Sequence, residues 1–205
     1  MNQDLEPYRS LDQVDACFDS GDYDEATRLL LSSVDIVVPT RLHLNSLESA
    51  MTLTLLERAG RIRNKYPRNA TVSFFLGRLI FSHGSPKAAI PLLSDALTFA
   101  HDLSLEIITR RYRFMCALRE NLPELLHEEL VFASNLGSES EIRSAIIENI
   151  AVAISETSNV QCIPTLQHLS KNDHLRLRLP RIAELIGLKA AELLIVNEAR
   201  TDEWF

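Results

Sequence analysis

The chain has 205 residues, 46% of them hydrophobic and 24% charged, with a formal net charge of −7. That length suits one domain or two small ones and can bury a core without disulfides or metals. The composition is too apolar for disorder, and the acidity argues against general nucleic-acid binding. Leucine fills 33 positions and glycine only six. Leucine loses little rotamer freedom in a helix, whereas sandwiches and barrels need many tight turns, so the balance predicts an all-α chain. The glycines form neither GxGxxG nor GxxxxGK[ST], which disfavours dinucleotide-binding and P-loop enzymes.

Residues 1–10 read as a flexible start. Leu11, Val14, Cys17 and Phe18 then recur at helical spacing, Gly21 breaks the helix, and Ala26, Leu29 and Leu30 continue a second one to about Val34. Thr40 is placed to cap a long helix that Tyr66-Pro67 stops. Asn69 caps a helix running to about His83, and Gly84 ends it. Ser85-Pro86 combines a cap residue with a proline at the first helical position, and the helix reaches about His101 with Pro91 as a possible bend.

A helix over Leu103–Arg119, a break at Asn121 and a helix over Pro123–Asn135 follow, with Gly137 placed as a left-handed C-terminal cap. Ser138 or Ser140 starts a helix over 139–157, Ser158-Asn159 turns the chain, and Cys162–Leu169 forms a shorter helix. Between Asp173 and Arg200, Pro180 and Gly187 predict a break or kink. Leu175, Leu177 and Leu179 alternate as in a strand, but with no partner strand nearby a helix or extended linker is preferred. Residues 201–205 read as a tail.

One stretch carries a repeat signature. Ser73-x2-Leu76-Gly77-x2-Ile80 is followed by Ala89-x3-Leu93 and Ala96, with Pro67 ten residues before Gly77. This stretch, 66–101, resembles a tetratricopeptide repeat, in which W-x2-L-G-x2-Y precedes A-x3-F and a closing proline. Ser73 and Ile80 replace the aromatic positions and His101 replaces the closing proline. Gly21 and Ala26 repeat the five-residue spacing of Gly84 and Ala89, and Leu126, Leu130 and Ala133 fall at analogous offsets after Asn121. The resemblance implies an α-solenoid of stacked antiparallel hairpins, about ten or eleven helices in one domain over 11–200.

Catalytic and metal-binding patterns are weak. Glu124-x-x-His127 has the spacing of a di-iron ligand pair, but no second Glu-x-x-His occurs. Cys162, His168 and His174 match no familiar zinc spacing, and no GxSxG is present. Arg181–Gly187 has alanine and glycine four apart, like the turn of a DNA-reading helix-turn-helix, but the following helix lacks the positive charge such readers carry. No cofactor and no metal are expected. Cys17, Cys116 and Cys162 are odd in number and far apart, and the N-terminus has no apolar leader, which together predict reduced thiols in a cytoplasmic protein. No apolar run approaches the ~18 residues of a membrane span.

Charge comes in blocks. Residues 1–35 carry −7, residues 36–119 carry +7 and residues 120–205 carry −7. These blocks neutralise one another across the fold, or are simply solvated faces, or the basic centre attracts an anionic partner. The repeat resemblance implies a groove lined by one helix per hairpin. Alignment on Gly77 places Phe74, Arg78 and Phe81 there, and alignment through Asn121 places Arg111, Met115, Leu118 and Arg119. Arginine and aromatic residues suit the capture of carboxylates and apolar anchors, and the alternative is that Phe74 and Phe81 are core and the arginines solvated. The expected function is a non-catalytic module binding a protein or peptide, with an acidic one the candidate that the basic centre suggests. The rival expectations are a small acidic chaperone for one client, and a helical auxiliary domain of a larger enzyme such as a glycosyltransferase.

Overall fold

The computed structural model describes residues 6–22, 25–26, 28–29, 60–61, 63–82, 85–137 and 141–202. Among them the regular structure is all helical, with no strand. The Thr40 cap, the body of the helix after it, Gly84 and the two serines 138 and 140 lie outside the described residues. The chain divides into two compact units, residues 1–105 and 106–205.

In the first unit, helix α1 spans Glu6–Ser20, so helical backbone begins inside the stretch read as a flexible start. It ends where the sequence expects. Gly21 has φ 81°, a left-handed conformation open to glycine, and the Asp22 amide donates back to the Cys17 carbonyl at 2.8 Å. Asp22 then accepts from the Glu25 amide at 3.2 Å, capping the helical residues 25, 26, 28 and 29. Asn69 caps α2 (Ala70–Ser82) through the Val72 amide at 3.0 Å. Helix α2 is apolar around most of its circumference and is buried accordingly, from Val72 and Phe75 to Leu79 and Phe81. Val14, Ala26, Val72, Phe75, Leu76 and Leu79 form the core of this unit.

Helix α3 (Pro86–Phe99) starts on proline as expected, but Ser85 makes no side-chain cap bond. Pro91 sits inside the helix. Gly77 and Leu93 stand eight residues either side of Ser85, as opposing rungs of an antiparallel hairpin would. The two helices meet closely there: a Cβ on Gly77 would lie 3.0 Å from Leu93 Cδ2 and 3.3 Å from Leu92 Cβ. The glycine is therefore a packing requirement of the seam.

Helix α4 (Leu103–Glu120) is capped by Asp102, which accepts from the Leu105 amide at 3.1 Å. From Glu106 onward it belongs to the second unit. Asn121 takes φ 50°, a left-handed turn that asparagine tolerates, and α5 (Pro123–Asn135) returns antiparallel from a proline start. The chain leaves α5 through an extended Leu136, φ −70° and ψ 143°, and Gly137 is not left-handed. The expected glycine cap is thus replaced by an extended exit.

Helix α6 (Glu141–Glu156) leads to a turn where Asn159 caps a short 3-10 segment (Val160–Cys162), accepting from the Gln161 amide at 3.0 Å. Helix α7 (Ile163–Ser170) follows, then α8 (Asp173–Arg178), capped by Asn172, and α9 (Pro180–Asp202). Leu175 and Leu179 are buried while Leu177 is 79% exposed, which is the i, i+4 pattern of a helix and not the alternation of a strand. Pro180 begins α9, so the break predicted there is real, but α9 runs unbroken through Gly187. A mid-helix glycine costs about 1 kcal/mol relative to alanine. Burial of Ile182, Ile186, Ala190 and Leu193 along the same helix outweighs that. These residues join Phe114, Leu118, Leu126, Leu130 and Ile150 in the core of the second unit.

Candidate partner-binding face

Helix α4 concentrates arginines, and the fold sorts them onto two sides. Arg110 and Arg113 turn toward α5. Arg113 Nη1 donates to Glu129 Oε1 at 2.5 Å, Arg113 Nη2 to both Glu128 oxygens at 2.9 Å, and Arg110 Nη1 to Glu129 Oε2 at 2.9 Å. Arg110 also bonds Glu106 at 3.0 Å and lies over the Phe132 ring, 3.2 Å from its centroid. Only 1% of the Glu129 side chain is exposed, so both of its oxygens take charged donors in place of water. Burial pushes the Glu129 carboxyl above its ordinary pKa, and the Arg110 and Arg113 guanidiniums pull it back.

Arg111, Met115 and Arg119 lie roughly opposite, one turn apart along α4. Arg111 Nη1 reaches Asn149 Oδ1 of α6 at 3.4 Å, and Asn149 Nδ2 is anchored on the Ala145 carbonyl at 2.8 Å. Met115 is half-buried against the core, and Arg119 is exposed. One turn from Asn149, Val152 is 41% exposed on α6. The end of α4 is tied down from the following turn. Asn159 Nδ2 donates to the carbonyls of Leu118 and Arg119 at 2.9 Å each, and the buried Cys162 thiol donates to Leu118 O at 2.6 Å. These bonds satisfy carbonyls that a helix C-terminus otherwise leaves orphaned.

The first unit treats its expected site residues differently. Phe74 and Phe81 are 0% and 4% exposed, so these two aromatics are interior packing and present no surface to a partner. Alignment with a repeat consensus could not decide this, because α2 is apolar around most of its circumference. Arg78 is half-buried between them in sequence. Other cations of the basic block are held by acids: Arg63 bonds Asp95 at 2.6 Å, and Lys65 pairs with Asp19 beside the Tyr66 hydroxyl. Lys65–Asp19 joins the basic block to the N-terminal acidic block, and Arg113–Glu129 joins it to the C-terminal one. Neutralisation within each unit therefore takes up much of the basic centre.

The network on α4 and α5 was legible in principle. Arg113 and Glu129 stand eight residues either side of Asn121, and Arg110 and Phe132 stand eleven either side. Reflecting the sequence about the turn predicts both contacts. Among the described residues no three His, Cys, Asp or Glu side chains converge as metal ligands. His174 instead shares a hydrogen bond with Ser134, Nε2 to Oγ 3.0 Å. A groove of about 600 Å³ is lined by Glu124 and His127 of α5 with Thr165 and His168 of α7, residues too far apart in sequence to be grouped by spacing. The Arg181–Gly187 stretch contains no turn, being part of α9. No described helix is long and apolar enough to cross a membrane. Comparison of the chain with protein-family models, with curated proteins and with solved structures finds no match.

Proposed function

We propose that this chain is a non-catalytic protein-interaction module built of stacked tetratricopeptide-like hairpins, and that Arg111, Met115 and Arg119 hold an acidic peptide or helix. The observation that carries the reading is the sorting of arginines on α4. Arg110 and Arg113 are committed to Glu129 and Glu128, which fixes the rotation of the helix. That rotation sets two guanidiniums and a thioether along the other side, where charge and a soft apolar contact suit a carboxylate-bearing partner. A face held in place by bonds at Asn149 and Asn159 is preorganised, so less ordering cost attends binding.

The test is affinity capture from native lysate with wild type beside Arg111→Glu/Arg119→Glu, the two matched in helix content by circular dichroism. A partner held by wild type and lost from the variant is the expected result. The same partner held equally by both would place the interaction on another surface.

A further inference from the structure

We propose that the outward face of α9 docks a second copy of this chain, helix against antiparallel helix, across a twofold axis. Helix α9 buries one side and exposes large aliphatic residues on the other. The inner one, Ile182, Ile186, Ala190 and Leu193, is buried in the core. The outer one is a stripe at helical spacing: Arg181, Glu184, Leu188, Ala191, Ile195 and Glu198, every member exposed. Leu188 is 63% exposed and Ile195 67%, with Val196 alongside at 40%. Single exposed leucines are ordinary, but large aliphatic side chains aligned on one helix face mark a surface that is covered in use.

The charges on the stripe select the occupant. A base stands at its first position and an acid at its last, with Leu188, Ala191 and Ile195 between them and a second acid, Glu184, one turn from the base. Antiparallel pairing with a second copy sets Arg181 near Glu198 of the second copy, and the twofold axis repeats that contact at the other end. That register sets Leu188 opposite Ala191 of the second copy, so the two Leu188 side chains flank the axis, and it sets Ile195 opposite Glu184, whose aliphatic stem covers it. Parallel pairing would instead oppose Arg181 to Arg181 and Glu198 to Glu198. The stripe is about 25 Å long at 1.5 Å per residue, so the interface is at the small end of specific contacts and the association is weak.

The test is sedimentation velocity on the full chain over roughly 1–200 µM, a range suited to small interfaces. The expected result is a concentration-dependent shift from monomer to dimer. Leu188→Glu/Ile195→Glu should keep its helix content and weaken the dimer at least ~10-fold, as expected when a charge enters an apolar contact. Arg181→Glu and Glu198→Arg should each weaken it several-fold. The double swap Arg181→Glu/Glu198→Arg should restore it, because only antiparallel pairing brings these two positions together. Should Leu188→Glu/Ile195→Glu lose helix, the surface charge swap alone decides. A monomer throughout the range overturns the proposal, as does a dimer indifferent to the apolar substitutions. A double swap no better than its singles overturns the antiparallel register.

Discussion

The α2/α3 and α4/α5 hairpins solve one geometric problem with opposite chemistries. Eight residues either side of Ser85 stand Gly77 and Leu93, while eight residues either side of Asn121 stand Arg113 and Glu129. The first seam is closed by an aliphatic side chain pressed against a missing Cβ. The second is closed by buried guanidinium–carboxylate bonds. An apolar seam draws its stability from burial, which is non-directional and tolerates sliding. A charged seam contributes less net stability, since desolvation offsets attraction, but it penalises every register except one. The α4/α5 seam is therefore the stiffer specification, and it belongs to the helix that carries Arg111 and Arg119.

The largest effect expected from this contrast is at Glu129. Glu129→Ala leaves two arginines buried without their shared acceptor and should cost roughly 3–5 kcal/mol in urea unfolding. Glu128→Ala, at a side chain 58% exposed, should cost under ~1 kcal/mol. Replacing Arg110, Arg113 and Glu129 together by Met, Leu and Leu should recover most of the loss. A Glu129→Ala variant as stable as wild type would mean that the seam holds by its apolar contacts alone.

Gly77 and Gly187, each inside a helix, should respond with opposite signs. Gly77→Ala forces a methyl to 3.0–3.1 Å from the fully buried Leu93 and should destabilise by about 1–3 kcal/mol. A Cβ on Gly187 would meet Ser170 Cβ at 3.5 Å, an ordinary contact. Gly187→Ala should therefore stabilise α9 by about 0.5–1 kcal/mol through helix propensity. Thermal unfolding of the two variants side by side checks the pair, and equal signs would undo the distinction between a required and a tolerated glycine.

The charged contacts of the two units should also part with pH. Hydrogen bonds from Lys65 and Tyr66 hold the Asp19 carboxyl below its ordinary range. Its stabilising contribution is thus present above the unfolded carboxylate pKa and lost as pH falls through the lowered value. Glu129 runs the other way. Burial raises its carboxyl, so that shift favours the folded state at low pH, and the benefit is lost as pH rises through the raised value. Carboxyl carbon chemical shifts should show Asp19 titrating below, and Glu129 above, the usual midpoints. A Glu129 midpoint below the usual one would mean that its guanidiniums outweigh its desolvation.

The smallest effect is kinetic. Burial pushes the thiols of Cys116 and Cys162 up to about 12 and about 11, leaving almost no thiolate at neutral pH. A thiol-reactive dye near pH ~8 should label half-exposed Cys17 first and the other two only after unfolding. Equal labelling rates in the native protein would contradict the burial.

Local chemistry was readable from the residues alone. Gly21, Asn69, Pro123 and Asn159 start or stop elements through their own backbone preferences or nearby bonds, which need no distant partner. Leucine abundance and scarce glycine determined the all-helical class for the same reason. Tertiary structure alone decided the remainder. Whether Gly187 breaks α9 depended on packing along the whole helix, and whether Phe74 and Phe81 are groove or core depended on what surrounds α2. Which arginines of α4 are spent inward depended on α5 folding back at Asn121. A side chain's neighbours within a turn are set by helical geometry, but its burial and charge partners come from chain many residues away.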